Sequence, residues 1–273
     1  ARLPGRASSA TAAAGAGSRV GAVGAVVRGC WAAAAGYQRL VCVVGVGLFV
    51  VGLAHAGMWA LVGGSAAGAL SWRKPTTFGL SFGLTTVTLG WVGGWLAVRP
   101  VVGWTAAGLL GAASSYEVAW VSVQHARGVP AHFNDTTALD ERLFIAGAVM
   151  VAVAIVVIAA MTLAALVHTS APAPMAVAIR AGLVGLLAAQ VTGVWMLWHG
   201  LALVDADADP TTQSMSTVGA AGQMKFTHAV PMHAIQVLAV LAWWLSRSGL
   251  RRRRQTQLVA LAVVGYGGLF GVA

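Results

Sequence analysis

Long apolar runs alternate along this chain with short polar interruptions. The runs lie near residues 40–62, 76–98, 101–124, 143–167, 176–204, 229–245 and 257–273. A helix needs about 17–25 predominantly apolar residues to cross the ~30 Å hydrocarbon core of a bilayer. The first six runs reach that scale, while the seventh reads as incomplete. The pattern predicts an all-α protein: a polytopic transmembrane helix bundle of about seven spans.

The interruptions differ in character. HARGVPAHFNDTTALDER follows the third run, the Pro-rich TSAPAP closes the fourth, and the acidic DADADPTTQSMSTVGAAGQMK separates the fifth from the sixth. Residues 1–38 are rich in Ala, Gly, Ser and Arg without helical periodicity, which predicts a disordered basic tail ahead of a bundle over 39–273. The apolar run that follows is too long for the core of a secretory signal. A chain that opens on Ala and stops inside an apolar run reads as a fragment cut at both ends. Glycines inside the spans, as in GLSFGLTTVTLGWVGG, are expected to let helices pack closely rather than to cradle phosphate.

Composition sharpens the class. Only 9% of residues are charged and 58% are hydrophobic, with a mean hydropathy of +0.80. A soluble domain carries about 25% charged residues, so these charges could not cover a water-facing surface. The lipid bilayer is the expected principal partner. The net charge of +10 does not point to nucleic acid, because many basic residues flank apolar spans. Cys30 and Cys42 have no CxxC spacing and predict neither a disulfide frame nor a thiolate metal site.

Loop charges set the orientation. The tail, Arg99 and the run Arg247–Arg254 fall on one side, which makes that side and the N-terminus cytoplasmic in a cell membrane. The acidic loop and the His-rich loops then face outside. Six of the seven histidines map to the outer half: His55, His125, His132, His199, His228 and His233. Glu117 is the only acidic residue well inside a predicted span, where a charge costs about 2.5–3.5 kcal/mol and normally has an interior partner. Ser114, Glu117, Val121 and Gln124 share one helical face that runs toward the outer loop.

In KFTHAVPMHAIQVL, a helix starting near Thr227 or His228 would hold Pro231 in its first turn, with His233 and Gln236 on one face. His228 and His233, five apart, could share one ion only if His228 stood in the loop. The outer basic residues Arg73, Lys74, Arg127, Arg142 and Lys225 suit either a cap neutralised by Asp135, Asp140 and Glu141 or a site for anions.

These features predict, first, a membrane redox protein holding haem or a transition metal (copper, iron or zinc) on His55, His125, His132, His199, His228 and His233. Arg73, Lys74, Arg127 and Gln236 would contact haem propionates or a small anionic or quinone-like ligand. Glu117 and Gln124 would serve catalysis or a proton path. A proton- or cation-coupled transporter using Glu117 and the same histidines is the alternative. A non-catalytic membrane sensor or assembly factor is the third reading. Neither a GxSxG motif nor a plausible triad supports hydrolysis.

Overall fold

The computed structural model describes residues 24, 28–64, 66, 70–206 and 223–273, all of them in helices and connecting turns without a strand. The tail before residue 24 and most of the acidic loop, at 207–222, lie outside the described residues. The helices are α1 (Gly36–Val62), α2 (Arg73–Val92), α3 (Pro100–Ala126), α4 (Ala138–Val167), α5 (Ala173–Ala206), α6 (Gln223–Met232), α7 (Ala234–Leu245) and α8 (Arg252–Gly271). A 3₁₀ turn, Gly93–Trp95, closes α2.

Among the described residues, four segments are long and apolar enough to cross a membrane: Gly36–Val62, Ala138–Val167, Ala173–Trp198 and Lys225–Leu245. The last combines α6 and α7. Helices α2 and α3 have less apolar sequences because their polar residues turn inward: Thr86, Ser114, Glu117 and Gln124 are all buried. Outward positions carry large apolar side chains instead, such as Val46 and Val50 on α1, Val149 and Val156 on α4, and Val264 on α8. Such a surface would associate in water and suits lipid.

Local signals explain the boundaries. Pro100 opens α3 at a position where its missing N–H costs little. Thr137 caps α4 by accepting from the Asp140 N–H at 3.1 Å, and Asp140 and Glu141 place negative charge in the first turn. Gly128 has a φ of 71° and ends α3, while the Val129 N–H returns to the Gln124 carbonyl at 3.1 Å. The sixth rod departs from expectation. It begins at Gln223, so Pro231 stands near the end of α6 rather than in its first turn. Proline interrupts the hydrogen-bond ladder there, and the helix restarts at Ala234 with His233 as its N-cap.

Two seams organise the packing. Along the first, α1 and α2 meet backbone to backbone: a Cβ at Gly52 would lie 2.4 Å from the Leu80 nitrogen, and one at Gly83 would lie 2.4 Å from the Phe49 nitrogen. Along the second, Ile179, Leu183 and Leu186 of α5 are fully buried, as are Ile235, Leu238 and Ala239 of α7. Helix α4 packs against both α3 and α5 and so joins the two halves.

The rods alternate in direction, which sorts chemistry to two ends. At one end the Trp95 carbonyl accepts from the Ser170 N–H at 3.0 Å and the Thr169 hydroxyl at 3.1 Å, and Arg180 donates to the Ala165 carbonyl at 2.8 Å. The end of α3, the turn 127–137 and the start of α4 meet at the opposite, His-bearing end.

Candidate functional site

The face of α3 that carries Ser114, Glu117, Val121 and Gln124 is buried along its whole length. Ser114 accepts a hydrogen bond of 3.1 Å from Thr86 of α2, which joins the two helices in the bundle interior. One turn further, Glu117 is only 2% exposed, and its Oε1 is buried without a hydrogen-bond partner. Gln124 is already engaged. Its Nε2 donates to Asp140 Oδ1 at 2.8 Å, and its Oε1 accepts from Arg127.

Asp140 closes a cap over this end of α3. Arg127 pairs with Oδ1 at 2.5 Å, and the Thr137 hydroxyl donates to Oδ2 at 2.6 Å. Arg127 and Gln124 are thus tied together through Asp140. Asn134 folds the turn further: its Nδ2 donates to the Pro130 carbonyl at 3.0 Å, and its Oδ1 accepts from the Thr136 hydroxyl at 2.7 Å.

This turn delivers His132 into an aromatic enclosure. Its ring lies 4.7 Å from Trp120 and 5.5 Å from Phe78, centroid to centroid, with Phe133 at 6.4 Å. Phe133 has a φ of 57° and its ring rests against Gly200 of α5, where any Cβ would collide with it. His132 Nδ1 and Trp120 Nε1 are both buried without partners. The His132 pKa is lowered well below the ordinary histidine value, chiefly by burial and secondarily by the nearby Lys74 charge.

Lys74, in the first turn of α2, is 8% exposed, and its Nζ makes no hydrogen bond. It lines a shallow recess with Pro75, Val121, His125, Val129 and Ala131. Arg73 and Lys225 stand close enough to repel it electrostatically. Holding an unpaired ammonium away from water costs several kcal/mol after relaxation.

The described histidines stand in separate surroundings. His55 and His125 flank Trp72, with ring centroids 6.0 and 4.2 Å from the indole. His55 Nδ1 lies 2.9 Å from the Val51 carbonyl on its own helix. His228 stands apart, where Nδ1 is 2.8 Å from the Ala189 carbonyl and the ring faces Gly193 of α5. His233 caps α7. His199 belongs to α5, but its side chain lies outside the described residues. Among the described residues, no three His, Cys, Asp or Glu side chains are grouped to hold a metal ion.

Gln236 bridges the helix break. In the amide orientation that satisfies both ends, it accepts from Thr85 at 3.0 Å and donates to the Met232 and His233 carbonyls, each at 3.1 Å. Thr76 and Trp120 escaped the sequence reading. Each has a buried polar atom without a partner, and neither residue type signals that in a linear pattern. The chain matches no known protein when compared with models of protein families, with curated proteins and with solved structures.

Proposed function

We propose that this is a seven-span membrane protein that carries protons or small cations through its interior, with Glu117 as the binding group. One observation carries the reading: Glu117 is enclosed in the bundle with a carboxyl oxygen that nothing in its surroundings satisfies. A carboxyl at this depth must hold a proton or receive a cation, and such residues mark ion and proton pathways. The Thr86–Ser114 hydroxyl pair lies one turn away. In the other direction, Val121 and His125 line the recess at the His-bearing end.

The seven rods are α1 to α5, the α6–α7 pair and α8. Helix α2 has 20 residues, about 30 Å at 1.5 Å per residue, and so reaches across hydrocarbon. Its inward polar residues are compatible with a span surrounded by other helices. Arg99, Arg247 and Arg251 to Arg254 lie at one end, which supports a cytoplasmic N-terminus and an external His-bearing end.

The test is flux in proteoliposomes under an imposed pH or cation gradient. Wild type should move protons or the cation, and Glu117→Gln should fall to the rate of empty vesicles while eluting as a folded particle. Undiminished flux in the variant would exclude Glu117 as the carrier.

A second reading retains haem or a metal ion, favoured by one feature of His228. A ring that gives its Nδ1 proton to the Ala189 carbonyl keeps the Nε2 lone pair for a ligand, the arrangement usual for metal-bound histidine. An absorption spectrum and metal analysis of the purified protein decide it. Absence of both a Soret band and stoichiometric metal would remove this reading.

A further inference from the structure

We infer that the His-bearing end contains an oxyanion site centred on Lys74, which takes a carboxylate or phosphate group. This inference stands apart from the role of Glu117 and does not depend on it.

Three observations converge. First, the Lys74 ammonium has three donors to satisfy, yet its Nζ is buried and makes no hydrogen bond. Second, the charges around it aggravate the problem. Arg73 and Lys225 act on Lys74 as like charges, and Arg73 also acts on Lys225. The first turn of α2 carries no acidic residue, although a helix N-terminus favours negative charge and disfavours positive charge. A single bound oxyanion would relieve all of these repulsions together. Third, Lys74 lines a shallow recess at the His-bearing end of the bundle.

The surroundings define the ligand. The recess is shallow and closely packed, so it admits at most a terminal oxyanion group approaching from its mouth and excludes the body of a haem. Pro75, Val121, Val129 and Ala131 give it apolar walls, and charge attraction strengthens in such a medium. Lys74 and Phe78, four residues apart, share a face of α2. Phe78 and Trp120 enclose the His132 ring, so the imidazole and the buried indole N–H belong to the same wedge. Arg127 is already paired with Asp140.

The oxyanion could be free in solution or belong to a lipid headgroup, and the two sources are separable. Thermal unfolding of the full chain in neutral detergent would be followed with inorganic phosphate, with acetate, and with chloride at matched ionic strength. A parallel arm uses nanodiscs of phosphatidylcholine with or without phosphatidic acid. We expect phosphate, acetate or phosphatidic acid to raise the midpoint of wild type beyond the chloride control. Lys74→Met should lose that response, with affinity weakened by about tenfold or more.

The same variant should unfold at a higher temperature than wild type without ligand, because it removes an uncompensated buried charge. A response confined to phosphatidic acid identifies a headgroup site, and one confined to free anions identifies a soluble ligand. The site is overturned by an absent response, a response equal to that of chloride, or a response that survives in Lys74→Met. A variant less stable than wild type without ligand would also overturn it, since Lys74 would then be a structural residue. Lys74→Arg, which keeps the charge, provides a second test: it should retain part of the response.

Discussion

Helix α2 meets α1 along a seam of glycines and meets α3 and the following turn along a wedge of polar and aromatic side chains. On the glycine seam, backbones touch with no room for a side chain. In the wedge, Lys74 Nζ, Glu117 Oε1, Trp120 Nε1 and His132 Nδ1 are buried without partners. Among the described residues the one further unpartnered buried side-chain oxygen is Thr76 Oγ1, which helical spacing places on the face of α2 that carries Gly79 and Gly83. In lipid, close packing is the main source of helix association, so a seam dedicated to it can offset a wedge that is costly to form. The contrast separates the part of the bundle that stabilises it from the part that retains unsatisfied chemistry.

Breaking the first seam should have the largest effect. A Cβ at Gly52 would lie 2.4 Å from the Leu80 nitrogen and 2.7 Å from the Gly79 carbonyl carbon, so backbone rather than a flexible side chain must yield. Overpacking a core typically costs about 1–3 kcal/mol, and Gly52→Leu should exceed that range because two helices must separate. Unfolding in detergent mixtures measures it. Gly47 lies on the same helix with nothing within 4 Å of its would-be Cβ. Gly47→Leu should stay within about 0.5 kcal/mol of wild type. Equal effects at the two positions would remove the distinction between the seam and the lipid face.

The rim of the wedge comes next. Asp140 accepts from Gln124, Arg127 and Thr137. Removing it leaves the Gln124 amide, which is fully buried, with an unmatched donor. Leaving such a group unsatisfied costs about 1–3 kcal/mol, so Asp140→Ala should lose that much and expose the 128–137 turn to protease. Asp140→Asn keeps a side-chain acceptor and should lose less. An Asp140→Ala protein as stable and protease-resistant as wild type would show that the cap does not hold the turn.

Legibility in the sequence followed the range of the interactions. The apolar runs gave the rods of α1, α4 and α5, because lipid-facing length is a local property. The polar face of α3 was also readable, since helical spacing alone groups Ser114, Glu117, Val121 and Gln124. The partners of those residues were not. Gln124 is tied to Asp140, sixteen residues away, and Gln236 to Thr85, across 151 residues. Lys74 and Arg127 looked alike as outer basic residues, yet one is buried and unpaired while the other is capped by an acid. The neighbours of the histidines were not legible either: His55 and His125 flank Trp72, while His228 rests against the Ala189 carbonyl of α5.

The smallest effect should appear as acid sensitivity of the wedge. His132 is enclosed by Trp120 and Phe78, and burial, reinforced by Lys74, holds its pKa well below the ordinary 6.5. Well above pH 6.5 the ring is neutral in both the folded and the unfolded chain, so it adds no pH dependence. Below that value the unfolded chain takes up a proton that the folded chain refuses, and stability falls by at most about 1.4 kcal/mol per pH unit. His132→Phe keeps an aromatic ring in the enclosure and removes the titration. The difference in unfolding free energy between wild type and this variant should therefore be flat well above pH 6.5. Below it, the difference should shift steadily in favour of the variant. Gly47 stands on the lipid face with nothing within 4 Å of its would-be Cβ, so the shift should be the same in a Gly47→Leu background. If the two proteins lost stability in parallel on acidification, His132 would be titrating freely, and the enclosure built by the 127–137 turn would not exist in solution.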